Sequence, residues 1–541
     1  MVVLLKKYLH KKCIPMIKTK PFLYFLFFSL CYTLSMPEKN DDTSINEEHS
    51  VFMPEIRDIL SLMTNPSEKD IVLVKKAYEA ALKAHKGVVR FTGEPYFIHV
   101  FETAKTLARM HMDATTIAAG FLHDTIEDGH MTTKEMEQEF GKDILFLVDG
   151  VTKLGKLKYR GLERHTESLR KLFIATAKDI RVIMIRLADR LHNVSTLYGH
   201  PKEDKRKHIA LETLEIYAPL ADRLGIGFMK GELEDAAFQY AYPDEYKKVL
   251  SLLKQKSKTD QDYLEKVRRT LHKSLAEEHI SVVHMDYRIK KIYSLYRKLK
   301  RKNMEIDKVY DIVALRVIVP TVSDCYRVLG VIHGLWRPLP GRIKDYIALP
   351  KLNGYQSIHT TIFTGDGGIA EIQVRTPDMH AEAEFGIASH VMYKTLGGNG
   401  HNGNAKKLDW IEQLLEAQKN AQGGDFLKDL RMDFFSDRVF VFTPAGDVVD
   451  LPVGSSPVDF AFSIHTDIGM HMSGAKVNGK MVALDTPLAG GDIVEIITAK
   501  NVKPTSKWLK YAKSSMAQRR IRAYLQRKGA ESGIGKFWIK S

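Results

Sequence analysis

The stretch Phe121-Leu122-His123-Asp124-Thr125-Ile126-Glu127-Asp128 constrains this chain more than any other. An imidazole and a carboxylate stand side by side, and Glu127 and Asp128 follow Asp124 at i+3 and i+4. On a helix those three acids share one face and repel one another unless a cation, or a substrate phosphate with its metal, holds them. A second helical segment opens with the apolar run Ile180–Ile185 and carries Ala188-Asp189-Arg190-Leu191-His192-Asn193. Upstream, Gly93-Glu94-Pro95-Tyr96-Phe97-Ile98-His99 sets another imidazole after a turn. His99, the pair His123-Asp124 and the distant Asp189 therefore make a ligand set spread over separate helices. Mixed imidazole and carboxylate ligation suits Mn²⁺, Fe²⁺ or Zn²⁺ rather than Ca²⁺. Four protein ligands leave open positions on an octahedral ion for water and a phosphate oxygen.

From Glu55 to about Pro201 the pattern is almost wholly helical, with a stripe at Ile71, Val74, Ala77, Tyr78 and Ala81. This predicts an all-helical metal hydrolase domain over 51–201. A charged helical bridge follows at 202–280, and then the period changes. Lys308–Val319 reads as a strand ended by Pro320, Asp324–Trp336 as a helix, and Ser357–Phe363 with Ile369–Arg375 as a hairpin about a Gly-rich turn. A mixed α/β domain at 281–396 accounts for these. The Gly/Asn-rich stretch Gly397–Asn404 and a helix Leu408–Gln418 fill 397–436. A β-rich module occupies 437–499, with hairpin signals at Thr443–Asp447 and Val477-Asn478-Gly479-Lys480. The tail, 500–541, is basic and helical between Ser506 and Lys528.

At 541 residues and a formal charge of +15 the chain is long enough for several domains and suits polyanionic partners such as nucleotides or RNA. Three cysteines, Cys13, Cys31 and Cys325, make no disulfide framework and fit a reducing compartment. Residues 1–50 differ from the rest. Lysines precede an apolar run, Pro21–Ser35, that is shorter than the roughly 20 residues a spanning helix needs. We expect a mis-assigned start, with Met36 or Met53 as the first residue, a cytoplasmic protein and no stable membrane association.

A second constellation lies in the α/β domain. Tyr287–Lys298 interleaves cations with tyrosines, which reads either as a solvated helix face or as a nucleotide-binding surface. Gly341-Arg342-Ile343-Lys344 adds cations, and Lys351 and Asn353 lead into Gly354-Tyr355-Gln356-Ser357-Ile358-His359-Thr360. Cations suit phosphates and aromatic faces suit a base. Asp311 and Glu371, on predicted strands, could hold Mg²⁺ between phosphates. No Walker A loop is present, which excludes a P-loop enzyme.

Taken together, these motifs resemble the long RelA/SpoT homologues, which make and destroy the alarmone (p)ppGpp. The resemblance runs from about Asp58 to Ala523. It is carried by the His99, His123-Asp124, Asp189 set, by Tyr310-Asp311, Gly354–Thr360 and Glu371-Ile372-Gln373-Val374-Arg375-Thr376, and by His465-Thr466-Asp467-Ile468-Gly469 in the β-rich module. It implies a multidomain α and α+β fold: an HD-type helical hydrolase domain, a nucleotidyltransferase-like synthetase domain and a β-grasp TGS domain. In the hydrolase, His99, His123, Asp124 and Asp189 would hold Mn²⁺. Glu127 and Asp128 would activate water, and Arg90 and Asn193 would contact the nucleotide. In the synthetase, Asp311 would hold Mg²⁺ and Glu371 would activate the 3′-hydroxyl of GDP or GTP. Arg288 and Lys290 would bind the ATP side and Tyr355 would stack on guanine, with Arg342, Lys344, Lys351 and His359 completing the nucleotide surface.

The basic form of Arg342-Ile343-Lys344-Asp345, and the full ligand set, agree with the bifunctional members of that family. Phe91 departs from it, standing after Arg90 where a polar or basic residue is common. The family's C-terminal zinc-finger and ACT domains are expected to be missing, and the TGS domain would meet tRNA, the ribosome or a regulatory protein. Two alternatives stay open: mainly a hydrolase with a weak synthetase, or a tRNA- or ribosome-binding nucleotide sensor.

Overall fold

The computed structural model describes residues 54–152, 174–176, 178–306, 309, 311–351, 353–364, 368–389 and 438–531. Tyr310, the helix predicted at Leu408–Gln418 and everything before residue 54 lie outside the described residues.

Helix starts in the first domain follow local chemistry. Helix α1 (Glu68–Ala84) begins at a capping box in which Ser67 and Asp70 satisfy each other's backbone N–H. Its buried residues, Val74, Ala77 and Ala81, fall on the expected stripe. Helix α2 (Phe97–Arg109) is buried along most of its length, and α3 (Ala114–Leu122) is capped by Asp113, whose Oδ1 accepts from Thr116 N at 2.7 Å. Helix α4 (Thr133–Val151) repeats the capping box with Thr132 and Glu135. Helices α5 (Arg181–Ser195), α6 (Glu203–Glu212), α7 (Ala218–Arg223) and α8 (Gly227–Ala241) complete the domain. One hydrophobic core runs from Ile59 to Ala241, so the helices after residue 202 pack with those before it.

Helix α9 (Pro243–Glu277) leads out of this core into a second one. There β1 (His284–Ile289), α10 (Ile292–Lys300), β2 (Val313–Ile318), α11 (Val322–Leu335), β3 (Arg337–Pro338), β4 (Lys344–Asp345), β5 (Ile358–Phe363), β6 (Ile369–Arg375) and α12 (Pro377–Phe385) build a mixed sheet. The order is β1-β2-β6-β5-β3, with β4 also on β5. Strand β2 runs parallel to β6 and antiparallel to β1, and β5–β6 is the expected antiparallel hairpin. Tyr287–Lys298 is one place where sequence and structure part. It is strand, then turn, then helix, because its first half pairs residue for residue with β2, Tyr287 opposite Leu315 and Ile289 opposite Val313.

Helix α8 is the wall between the two cores. Lys291 Nζ donates to Glu232 Oε1 at 2.7 Å, Ser294 Oγ to Glu234 Oε2 at 3.1 Å, and Tyr293 N to Asp235 Oδ1 at 3.0 Å. The turn before α8 touches the far end of the sheet domain, where Ile387 N donates to Leu224 O at 3.0 Å.

The third domain has the β7 (Arg438–Phe442) and β8 (Val448–Pro452) hairpin, α13 (Pro457–Ile464), α14 (Thr466–Met470), a sheet of β9 (Met472–Val477), β10 (Lys480–Val482) and β11 (Val494–Thr498), and α15 (Ser515–Glu531). The β9–β10 turn places Asn478 at φ 51° and Gly479 at φ 79°, the left-handed pair such a two-residue hairpin requires. The tail is not one helix over Ser506–Lys528. It breaks at 512–514, where the buried Asp459 carboxylate accepts from Lys513 N at 2.9 Å and Ser514 N at 2.7 Å. Among the described residues, no helix is long and apolar enough to cross a membrane.

Candidate functional site

Helix α3 ends at Leu122, and His123–Gly129 continues as irregular turns rather than the regular helix the i, i+3, i+4 spacing predicts. Side chains compete for the last helical carbonyls. His123 Nδ1 donates to Gly120 O at 2.8 Å and Thr125 Oγ1 to Leu122 O at 2.7 Å. The register survives, since Asp128 N still donates to Asp124 O at 2.9 Å.

The four expected ligands come together. His123 Nε2 lies 3.2 Å from Asp124 Oδ2 and 3.8 Å from Asp189 Oδ1, and His99 Nε2 lies 3.4 Å from each of those oxygens. Of the four, His99, His123 and Asp124 bring ligand atoms within 4.8 Å of one another, close enough for one ion. The tautomers suit ligation. With its Nδ1 proton on a carbonyl, His123 turns the lone pair of Nε2 inward, and that atom is buried without a hydrogen-bond partner. Burial and the charges of His99 and Arg90 push His192 down to about 2 and keep it neutral. Its Nδ1 accepts from Arg90 Nη1 and from His99 Nδ1, each at 3.0 Å, so His99 Nε2 also faces the carboxylates.

Burial alone would raise the Asp124 and Asp189 carboxyls. The two imidazoles, with Arg186 beside Asp189, hold both well below the usual range. Burial likewise lowers His123, yet the two carboxylates outweigh it and lift that imidazole to about 10, so an ion that takes the Nε2 lone pair displaces a proton there. The cluster thus favours positive charge at its centre, which a divalent ion supplies.

Outer partners fix the ligands. Tyr96 Oη donates to Asp124 Oδ2 at 2.8 Å, and Arg186 Nη1 to Asp189 Oδ2 at 2.8 Å. Asn193 Nδ2 donates to Asp189 Oδ1, while its Oδ1 accepts from Arg90 Nη2 at 2.6 Å. Tyr96, Arg186 and His192 were not singled out from sequence, although Tyr96 and His192 sit inside the quoted motifs. A cavity of about 780 Å³, lined by Arg90, Asp128, Asp189, Asn193, His200 and Glu212, opens beside the cluster. That is the size of a small-molecule site. Phe91 lies at its rim, 75% exposed, with its ring against His200. Glu127 and Asp128 are exposed on the turn. Burial, then the charges of Asp124 and Glu127, raise the Asp128 carboxyl, with His130 opposing.

The α/β domain brings together a second group. Asp311 Oδ2 meets Lys290 Nζ at 2.5 Å and Lys298 Nζ at 2.6 Å, while Asp311 Oδ1 is buried without a partner. Burial opposes these lysines, but they hold the Asp311 carboxyl down to about 2. Glu371 Oε1 accepts from Gln373 Nε2 at 2.7 Å and lies 3.3 Å from His359 Nδ1, and Tyr355 Oη lies 2.8 Å from His359 Nε2. Arg288 Nη1 donates to Gln373 Oε1 at 3.2 Å. Burial would raise Glu371, and His359 keeps it lowered and ionised. Lys351 Nζ stands 4.8 Å from the Tyr355 ring, and Lys344 pairs across the sheet with His359. Arg342 is exposed on the β3–β4 loop, and among the described residues no contact places its side chain against Asp311 or Glu371. Lys298 and Gln373 are additions. Both lie inside quoted motifs, but only the folded strands bring them to the acids.

Three family models match in chain order: the HD domain over residues 77–227, the region found in RelA/SpoT proteins over 287–398, and the TGS domain over 439–498. The chain is 47% identical over 465 residues to a guanosine-3′,5′-bis(diphosphate) 3′-pyrophosphohydrolase of Aquifex aeolicus, covering 85% of this chain and 65% of that protein. It is 43% identical over 467 residues to the bifunctional (p)ppGpp synthase/hydrolase SpoT of Escherichia coli, covering 86% and 66%. It is 43% identical over 472 residues to a GTP pyrophosphokinase of Myxococcus xanthus, covering 86% and 62%. The chain therefore spans a little under two thirds of the length of these relatives.

A helical HD domain whose histidines and aspartates could hold a divalent ion, a mixed α/β domain with paired acids and cations, and a TGS domain define a multidomain protein of the RelA/SpoT type. The chain belongs to the RelA/SpoT family, among its long homologues.

Proposed function

We propose that this chain both makes and destroys (p)ppGpp: it transfers pyrophosphate from ATP to the 3′-hydroxyl of GDP or GTP, and hydrolyses the product back to GDP or GTP and pyrophosphate. The observation that carries this is that each of two separate domains holds a buried ligand atom without a hydrogen-bond partner, His123 Nε2 in one and Asp311 Oδ1 in the other. The first has mixed imidazole and carboxylate donors and suits Mn²⁺. The second has oxygen donors and suits Mg²⁺. Such ions supply charge neutralisation at phosphate and lower the pKa of water.

In hydrolysis, Arg90 holds the nucleotide and Asn193 orients Arg90 against Asp189. Glu127 and Asp128 orient the attacking water and take its proton, and burial with the charge of Asp124 raises the Asp128 carboxyl, the direction that makes it the stronger base. In synthesis, Arg288, Lys290 and Lys298 hold the ATP phosphates, and Lys344 and Lys351 add charge along the nucleotide surface. Glu371, kept ionised, takes the proton of the 3′-hydroxyl. His359 positions Glu371, and Tyr355 positions His359 while offering its ring to guanine. Positioning and charge neutralisation are the main contributions to such a transfer. Arg342 is assigned only as a loop cation. The TGS domain and the basic helix α15 are offered to tRNA, the ribosome or a regulatory protein. A cytoplasmic location fits these proposed nucleotide substrates.

A hydrolase with a weak synthetase is the second reading. It is favoured by the two lysines on Asp311 Oδ2, which must give way before that oxygen can serve an ion. The test is a pair of assays, labelled ATP with GDP in Mg²⁺, and labelled product in Mn²⁺. Asp124→Asn is expected to lower hydrolysis at least about 10³-fold, several kcal/mol of lost charge stabilisation, and to spare synthesis. Glu371→Gln is expected to do the reverse. Loss of both activities in either variant would overturn the assignment of two separate sites, and absence of synthesis in the unmodified chain would select the second reading.

A further inference from the structure

We infer that His85, Asp128 and His130 form a second divalent-metal site beside the His99–His123–Asp124–Asp189 cluster. One ring nitrogen from each histidine and one Asp128 oxygen all lie within 4.8 Å of one another. Donors about 2.1 Å from a shared ion stand roughly 3–4 Å apart, so a small closure of the exposed side chains completes the site.

The strongest pointer is His85. It sits at the C-terminal cap of α1, is 2% exposed, and has neither ring nitrogen hydrogen-bonded. Leaving a buried polar atom unsatisfied costs on the order of 1–3 kcal/mol, so an imidazole with both nitrogens unmatched invites a ligand. Its ring is held in place. It stacks on Tyr96 with centroids 4.8 Å apart and planes at 28°, and meets the His130 ring edge-on at 5.1 Å. Asp128 and His130 come from the turn after the His123-Asp124 pair, anchored by Asp128 N on Asp124 O and His130 N on Thr125 O, both at 2.9 Å. Asp128 and His130 line the cavity and His85 is buried, so one ligand is fixed and two are adjustable.

Two imidazoles and one carboxylate suit a first-row transition ion such as Mn²⁺, Fe²⁺, Co²⁺ or Zn²⁺, and leave positions open for phosphate oxygens. A carboxylate has two oxygens, so ligation at one leaves the other for the water assigned to Asp128. Tyr96 joins the two centres, its ring against His85 and its hydroxyl on Asp124 Oδ2. Any part this ion takes in hydrolysis rests on the function proposed above. Its binding does not, and binding is what the experiment reads.

The full chain, stripped with chelator and carrying Asp311→Asn to silence the oxygen-donor site, is titrated with Co²⁺. Calorimetry gives the stoichiometry, and the visible d–d bands report imidazole ligation. Two ions per chain are expected, one in the His130→Ala variant and one in the Asp124→Asn variant. The exposed position of His130 makes its truncation compatible with folding. A single ion in the parent that survives His130→Ala overturns the proposal, as does the absence of any ion in Asp124→Asn. In either case (p)ppGpp hydrolysis by the unmodified chain would leave the function proposed above standing.

Discussion

The Tyr96 hydroxyl points at the one carboxylate oxygen, Asp124 Oδ2, that also lies within 3.4 Å of both imidazoles. Burial and the neighbouring Asp124 carboxylate raise its pKa, so it stays a donor at any working pH. Such outer partners orient ligands and tune their basicity, and losing one costs about 10–100-fold in metal affinity. Tyr96→Phe keeps the ring stacked on His85 and removes only the donor. It is expected to weaken Mn²⁺ binding about tenfold by calorimetry with little change in melting temperature; unchanged affinity would show that the hydroxyl does not hold Asp124.

His380 makes a different residue-scale case. Burial, then the charge of Arg375, push it down to about 4, and Arg375 Nη2 lies 2.5 Å from its Nδ1. Folded His380 therefore stays neutral while the unfolded imidazole takes up a proton below about 6.5. The stability it contributes is complete above that value and is lost as pH falls from about 6.5 toward 4. His380→Gln is expected to shrink the drop in melting temperature between pH 7 and pH 5. An equal drop in both proteins would assign the acid sensitivity to other groups.

At the scale of elements, what could be read from sequence was what local chemistry decides. The stripe Val74, Ala77, Ala81, the β5–β6 hairpin and the Asn478-Gly479 turn depend on neighbours in the chain. Strand β1 was not legible, because Tyr287-Arg288-Ile289-Lys290 is as basic as the helix that follows and becomes a strand only by pairing with β2. The break before α15 was hidden for the same kind of reason, since Asp459, far off in sequence, supplies its acceptors. The clustering of His99, His123, Asp124 and Asp189 was legible because ligand chemistry restricts residue types. Its outer partners were not, because any Tyr, Arg or His serves equally well until the fold chooses one. The joint between the first two domains was equally hidden. Gly386 has φ 53°, and a Cβ there would lie 2.3 Å from Leu224 O and 2.4 Å from Gly225 C. Gly386→Ala must both strain the backbone and part the domains at this turn. The expected cost is at least about 2 kcal/mol, with a melting temperature several degrees lower. A stability change within about 0.5 kcal/mol would mean that the turn relaxes freely.

For the molecule as a whole, a chain with both proposed activities running at once would make and destroy the same product, so the proposed function calls for opposed states of the two sites. The bridge predicted over 202–280 resolves into helices packed in the first core and the long α9. Direct contacts between the domains include those of α8 and of the Leu224–Gly227 turn; on α8, Glu232, Glu234 and Asp235 accept from the segment Lys291–Ser294 that follows β1 and Lys290. Any shift of Lys290 when the synthetase site fills would reach α8 through that segment, and α8 packs against α5, the helix that carries Asp189. This is a physical route, and coupling along it must be shown by a change at one site when the other is occupied. Glu371→Gln separates occupancy from turnover. Saturating its synthetase site with a non-hydrolysable ATP analogue and GDP is expected to slow (p)ppGpp hydrolysis at least about fivefold, the lower end of ordinary allosteric coupling. Ser294→Ala combined with Lys291→Ala, which cuts two of the contacts on α8, should relieve that inhibition without changing hydrolysis in the absence of analogue. If hydrolysis is unchanged at saturating analogue, the two domains are tethered rather than opposed. If inhibition persists in the double variant, the coupling runs through other contacts between the domains, such as Tyr293 N on Asp235 or helix α9.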